Sequence, residues 1–427
     1  MIDRFELGER HEARRAAVRE FCVREVEPRV EEFEREGRFP EELLRRLGDE
    51  DLIGVPYPTE VGGAGADFRS FAIAVEELAR SWKLLAGGVN IACGLVGYPL
   101  HEFGDDRQRE AWLRSVCAGE WIPAFALTEP EAGSDAASLE TTARREGDEW
   151  VIDGRKWWTT HGAVADLLLV VARTGEPGAG GDGDDATGDD GGNEGAEGNE
   201  RDGGNEGAEG NERDDGDGGG AARHDGISLV GVPNPHEREG FEVVRNIPCM
   251  EGDVAIESEL RFDGLRVPAE NLVGERGRGF RYIMEGLDVG RLGTAAQGVG
   301  IAQGAFEASR DFAGEREQFG RPIREFQGVG FSIADMAAKT EAARLLTLAA
   351  ADRRDRGERI TQAAAMAKTF ATDAAMEIAT DAVQVHGARG YSREYPVERY
   401  MREAKGTQIY DGTNEINRLV VANRLYE

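Results

Sequence analysis

Residues 175–226 contain almost nothing that a folded core could use. They are mostly Gly, Asp, Glu and Asn, with little that is apolar beyond alanine, and they hold a perfect duplication: GGNEGAEGNERD at 191–202 and again at 203–214. A twelve-residue period without large apolar side chains cannot stack into a solenoid, because each repeat has nothing to bury. The segment also lacks the apolar anchor of calcium-binding nonapeptide repeats. It is expected to be an acidic, Gly-rich disordered insert between two strands. The fold must then come from the chain on either side of it.

Those flanks divide by pattern. Residues 1–120 read as helical. Pro28 is expected to kink or break the helix over 14–36, and Gly37 is a natural stop. A second helix is expected over 40–48. A third is expected over 68–82, with Asp67 as its N-cap. Near Trp121 the character changes. Residues 149–160 alternate around Asp153-Gly154, which reads as a hairpin turn, and 167–171 and 227–232 are short apolar runs. From Gly279 the pattern is again long helices, with Phe370, Ala374, Ile378 and Ala382 forming one stripe expected to face a core. The organisation expected is a helical domain (1–120), a β domain (121–265) and a helical domain (266–427).

Charge removes several classes of function. With 82 acidic side chains against 51 basic ones, the chain of 427 residues carries a net charge of -31. Nucleic acid and anionic lipid both need a basic footprint and are excluded as partners. Lysine occurs only at 83, 156, 339, 368 and 405. An acidic, lysine-poor composition looks like halophilic adaptation, since bulk ions screen self-repulsion. The four cysteines form no C-x-x-C pair and have no zinc spacing, so no metal site is expected. They read as reduced thiols in a cytoplasm. The N-terminus has no apolar signal region, and no uninterrupted apolar run approaches the roughly 20 residues of a membrane span. Gly298-Val299-Gly300 lies in a helical pattern with its third glycine misplaced, so it reads as helix packing rather than a dinucleotide fingerprint.

Four motifs carry chemistry. Residues 125–135 read FALTEPEAGSD, 156–162 read KWWTTHG, and 316–320 read REQFG with Gln327 close behind. The last begins at Gln384-Val385-His386-Gly387, passes Tyr395-Pro396 and Arg402-Glu403-Ala404-Lys405, and ends in Tyr410-Asp411-Gly412-Thr413-Asn414-Glu415. In this order the four resemble the acyl-CoA dehydrogenase family over essentially the whole chain outside 175–226. Residues 60–65 and 267–272 look like further landmarks of that family.

The resemblance implies an α+β multi-domain fold: an N-terminal helical domain, a central antiparallel β-barrel-like domain and a C-terminal four-helix bundle, assembled as a homotetramer. It implies FAD as cofactor. Leu127, Thr128 and Thr160 would hold the polar edge of the flavin, and Trp158 would pack on the ring. Ser134 would lie near both flavin and CoA. Arg316 would meet the pyrophosphate of a neighbouring subunit's FAD, a fit of guanidinium fork to phosphate. Phe319, Gln327, Gln384, Val385 and Gly387 would complete that second-subunit wall, with Thr413 and Glu415 on the adenosine side. Asp288, Arg291, Tyr410 and Gly412, with Ser134, would contact an acyl-CoA substrate. The implied reaction is α,β-dehydrogenation in fatty acid metabolism: a carboxylate takes the α-proton and the β-hydride goes to flavin N5. An electron-transfer flavoprotein would be the acceptor.

One departure bears on that chemistry. The family's base normally sits in Tyr-Glu-Gly-Thr, whereas here the loop holds Asp411. Aspartate is one methylene shorter, which withdraws the carboxylate by about 1.5 Å. Relatives that take their base from a helix do so at the position that is Gly290 here, so Asp411 is the candidate base in either scheme. Three readings follow: a dehydrogenase with a repositioned loop, a nitroalkane-oxidase-like flavoenzyme, or a CoA-ester-binding relative without dehydrogenase activity. Asp288 and Arg291 favour the first. Further departures are Ala388 after Gly387 and residues 249–260, which lack the usual Gly-x-Arg-x-Ser run.

Overall fold

A computed structural model describes residues 7–175 and 223–426. The insert expected at 175–226 therefore lies almost wholly outside the described residues. What is described are its two ends. β4 (Leu167–Arg173) and β5 (Ile227–Pro233) are antiparallel neighbours, and the Thr174 N–H donates to Gly226 O at 2.7 Å. The two ends of the insert thus lie side by side on paired strands.

The N-terminal elements are helical for local reasons. α1 (Glu9–Phe21) runs through a π-turn at Cys22–Val26 into α2 (Glu27–Glu36). The expected break near Pro28 takes this form: the wide turn comes just before the proline, which cannot donate a helical hydrogen bond. Gly37 ends α2 at φ 61°. After α3 (Glu41–Asp49), the Asp67 carboxylate caps α4 (Phe68–Asn90), accepting from the Ser70 N–H at 2.8 Å. The helix continues beyond the expected end. Its backbone opens at Trp82 (φ -158°, ψ 108°) and then resumes through a π segment, Ile91–Gly97, into α5 (Tyr98–Phe103). The stretch Phe68–Phe103 is long and apolar enough to cross a membrane, yet 83% of its most apolar window is buried inside the protein, so it is used as a core helix. A short α6 (Arg114–Cys117) leads to the sheet.

The sheet domain differs from expectation in three ways. Its strands are β1 (Pro123–Ala126), β2 (Thr142–Glu146), β3 (Glu149–Thr160), β4, β5, β6 (Phe241–Asn246), β7 (Glu257–Pro268) and β8 (Leu272–Val273), in the order β6-β7-β3-β2-β4-β5-β8 with β1 on β4. That path is open: among the described residues no pairing joins β6 to β8, so the sheet does not close into a barrel. Nor is it purely antiparallel, because β1 and β2 both pair with β4 in parallel. The hairpin expected at Asp153-Gly154 lies instead at Gly147-Asp148, where Gly147 takes φ 61°. Gly154 sits at a register shift inside β3, and a Cβ there would come within 2.8 Å of the Thr141 Cα. It is a bulge glycine, not a turn glycine. β4 is buried along nearly its whole length, as its unbroken apolar run requires.

The C-terminal domain has three long helices, α7 (Gly279–Glu315), α8 (Gln327–Asp355) and α9 (Thr361–His386), with α10 (Val397–Thr407) and α11 (Asn414–Arg424) packed against them. α7 is clasped between α4 and α9, and its glycines permit this. A Cβ on Gly298 would meet Ala371 backbone atoms at 2.9 Å, and one on Gly300 would meet Glu76 O at 2.2 Å. Gly298-Val299-Gly300 is therefore a packing motif. In the α9 stripe Ala374, Ile378 and Ala382 are buried, but Phe370 is 40% exposed.

Candidate active site

The loop between α10 and α11 is tied from three sides. Asp411 and Gly412 both take positive φ (54° and 83°), so the chain turns sharply where the acid sits. Thr413 caps α11 through the Ile416 N–H. Lys368, fully buried on α9, donates to Gly412 O and Asn414 Oδ1, both at 2.8 Å, and Asn417 Nδ2 also donates to Gly412 O. The Asp411 carboxylate accepts through Oδ2 from Thr294 Oγ1 on α7 (2.7 Å) and Asn90 Nδ2 on α4 (3.1 Å). Gly290 faces it: a Cβ there would lie 3.4 Å from Oδ2. One helical position on, buried Arg291 donates to Asp288 Oδ1 at 2.9 Å, and Thr361 donates to the other Asp288 oxygen. Burial pushes the Asp288 carboxyl up against the opposing pull of Arg291. The Tyr410 hydroxyl donates to Gln297 Oε1 at 2.7 Å, and the Lys83 ammonium lies 4.9 Å from the centre of its ring.

A second wall comes from the sheet. Lys156, also fully buried, donates to Leu127 O (2.8 Å) and Glu129 Oε1 (2.7 Å), while Glu129 accepts the N–H groups of Glu140 and Thr141. Burial pulls Lys156 down to about 8. This brace, with the Trp157 N–H donating to Thr128 O at 2.7 Å, aligns the Leu127-Thr128 segment beside the end of β3. There Trp158 (φ 55°) is 46% exposed, while His161 (φ 65°) is buried and pulled down to about 4 by desolvation. Non-glycine residues at positive φ are uncommon and gather where function demands them. Trp158, His161, Phe319 and Asp411 are four of the six found among the described residues. The Thr160 hydroxyl lies 3.0 Å from both oxygens of Glu257, whose carboxyl burial pushes up to about 8 against Lys83. Lys83 pairs with Glu251 at 2.7 Å. Ser134 is exposed on the loop beyond Glu129.

Comparison with known proteins decides the family. Models of the acyl-CoA dehydrogenase N-terminal, middle and C-terminal domains match residues 8–120, 124–186 and 277–426. An acyl-CoA dehydrogenase of Bacillus subtilis is 38% identical over 411 residues, 96% of either chain. The chain belongs to the acyl-CoA dehydrogenase family. Butyryl-CoA dehydrogenase from Megasphaera elsdenii superposes with a TM-score of 0.86 at 32% identity, covering 99% of this chain and 100% of its own. A chain from structural work on the electron transferring flavoprotein of Acidaminococcus fermentans does so with the same TM-score at 36% identity, covering 99% of each. The dehydrogenase is an FAD-dependent oxidoreductase.

The residues of this dehydrogenase fit that cofactor. Trp158 presents a large, half-exposed aromatic face from a positive-φ backbone, a surface on which a flat ring would pack. The remaining residues form a separate group. Arg316 follows α7, Gln327 opens α8, and Gln384 and Val385 lie at the end of α9, which Gly387 terminates at φ 61°. Stacking of Phe312 on His386 (4.2 Å) joins these ends, and Phe319 is 94% exposed. From Thr294 to Arg316 is 22 helical steps, about 33 Å. One dehydrogenase chain therefore does not bring the Arg316 group to the Asp411 group. Glu415 is exposed beside Arg418. Sequence reasoning missed Asn90, Thr294, Gln297, Lys83, Lys368 and Glu257. For the lysines a signal existed, since lysine is scarce in this chain.

Proposed function

We propose that the protein dehydrogenates a short-chain acyl-CoA thioester to its 2-enoyl product, with Asp411 as the base that takes the α-proton. The observation that carries this is the Asp411 carboxylate, oriented by donors from two helices beside Gly290, which offers no competing acid. When bound, FAD supplies the hydride acceptor. The rest falls to the chain's own side chains. Asp411 presents one carboxylate oxygen to the α-carbon. Asp288 and Arg291 flank Gly290 on α7 as a paired site for the CoA ester. Trp158 and the braced Leu127-Thr128 segment shield the reacting carbons from water. The similarity to butyryl-CoA dehydrogenase supports a short acyl chain, and the Acidaminococcus relative supports an electron-transferring flavoprotein as acceptor.

The distance between the two residue groups supports assembly. An Arg316 group about 33 Å from Asp411 along α7 serves a site only if a second copy brings it there, which calls for at least a dimer with FAD at the subunit contact and accords with the homotetramer that the family resemblance implies. The test is anaerobic bleaching of the bound flavin by butyryl-CoA. Asp411→Asn is nearly isosteric but cannot accept a proton, so bleaching should fall by at least about 10³-fold while FAD and CoA-ester binding persist. Bleaching of Asp411→Asn at the parent rate would remove Asp411 as the base.

A further inference from the structure

Several helical hydroxyls in this protein bond back along their own helix; Thr294, like Ser81, reaches to another element instead. Ser309, Thr340, Thr347, Thr372 and Thr380 each donate to the carbonyl four residues back, at 2.7 to 2.9 Å. This back-bond is a common arrangement for a buried hydroxyl inside a helix. The corresponding acceptor for Thr294 is Gly290 O. That carbonyl is taken instead by Asn90 Nδ2 at 3.1 Å, and the Thr294 hydroxyl turns away to Asp411 Oδ2 at 2.7 Å. The same Asn90 amide reaches Oδ2 at 3.1 Å and Thr294 Oγ1 at 3.4 Å. Both side chains are buried, Thr294 wholly. Among the described residues, both hydrogen bonds of the carboxylate fall on Oδ2 and none on Oδ1.

We infer that Asn90 and Thr294 are positioning residues that form a clamp matched to the shorter acid, fixing Oδ2 and leaving Oδ1 as the proton acceptor. The inference rests on the reading of Asp411 as base. Its logic is steric and directional. Aspartate at position 411 is set back by about one C–C bond relative to glutamate, and Gly290 leaves space on the α7 side, where a Cβ would crowd Leu95 at 3.1 Å and Asp411 Oδ2 at 3.4 Å. Two donors from different helices then define both the distance and the rotation of the carboxylate, which one donor could not. The clamp also couples α4 to α7 at the point of chemistry.

The experiment uses the FAD-loaded full-length enzyme and butyryl-CoA under anaerobic single turnover. Thr294→Val keeps shape and removes the donor, and should slow bleaching roughly 10- to 100-fold, the range a misplacement of about 1 Å produces. The butyryl-CoA concentration giving half-maximal rate should stay the same, and Thr294→Ser should restore most of the rate. In an Asp411→Glu background the clamp no longer matches the acid, so Thr294→Val should cost less than about threefold; this non-additivity is what a clamp produces and a packing role does not. A crystal structure of Thr294→Val should have the Asp411 carboxylate rotated off its present axis. Should Thr294→Val fail to fold, Thr294→Ala removes the same donor and is read the same way. Bleaching by Thr294→Val at the parent rate, or an equal loss in the Asp411→Glu background, overturns the clamp while a dead Asp411→Asn keeps the base. An active Asp411→Asn overturns the base itself.

Discussion

Lys368 lies beneath the Asp411 loop, and replacing it should separate stability from catalysis. Burial pulls its ammonium from the ordinary 10.5 to about 8, even with Asp411, Asp373 and Glu415 nearby. A displacement of that size means keeping the charge costs roughly 3 kcal/mol at neutral pH. Against this stand its two hydrogen bonds at 2.8 Å, to Gly412 O and Asn414 Oδ1, worth about 1.5–3 kcal/mol each because the donor is charged. Together the two bonds give about 3–6 kcal/mol, which matches or exceeds that cost. Lys368→Met fills similar space and removes both. Gly412 O keeps Asn417 Nδ2 at 2.7 Å, whereas Asn414 Oδ1 keeps only a contact of 3.2 Å with the Thr372 hydroxyl, whose proton is directed to Lys368 O. The expected loss is at most about 3 kcal/mol, a fall in Tm of less than roughly 10 °C. The loop, however, loses its tie to α9, and a shift of about 1 Å in Asp411 costs on the order of 10²-fold in rate. Thermal melting with FAD content measures the first quantity, and anaerobic bleaching by butyryl-CoA the second. A variant that melts as expected yet bleaches at the parent rate would refute the link between Lys368 and the base. One that no longer folds would refute the offset.

Glu257 has a folded value of about 8 against an ordinary 4.5, so the folded state holds a proton that the unfolded state releases, and its contribution to stability is lost as pH rises from 4.5 to 8. Glu257→Gln should remove that part of the slope: Tm rises at pH 8, by roughly 2–4 °C per kcal/mol relieved, and is unchanged at pH 4.5. With a net charge of -31, the protein should melt higher as NaCl goes from dilute to molar, and a flat or falling Tm would count against halophilic adaptation. Arg316→Ala should weaken FAD retention by about 10- to 100-fold, the worth of one charge-assisted phosphate contact, without lowering the melting temperature of the apoprotein.

What could be read in the sequence was local. The Asp67 cap and the Gly37 stop each depend on a few consecutive residues, and both stand in the structure. Gly154 misled because a bulge glycine and a turn glycine look alike until strand pairing is known, while the true turn at Gly147-Asp148 is just as short. The four motifs behind the family resemblance could be seen because each is built from short runs of neighbouring residues. The partners of Asp411 could not: Asn90 is 321 positions away and Thr294 117, and neither type announces a role in a helical pattern. Long-range meetings such as these are set by how α7 packs between α4 and α9, which in turn depends on bare glycines at Gly298 and Gly300.

The distribution of lysine ties surface and site together. Of five lysines, Lys83, Lys156 and Lys368 are buried, and each braces a segment bearing candidate site residues: the Tyr410 ring with Glu251, the Leu127–Glu129 stretch, and Gly412 with Asn414. Arginine, which carries nearly all the remaining positive charge, suits these places less well. A guanidinium brings five N–H donors in a rigid plane, an ammonium three that rotate. Lys156 and Lys368 each meet two acceptors, so an arginine there would leave three N–H groups buried and unpaired, at about 1–3 kcal/mol apiece. On the surface the same donors cost nothing, because water satisfies them. Arginine is buried too, as at Arg291, so burial alone does not select lysine; at Lys156 and Lys368 it is the small number of acceptors that suits an ammonium.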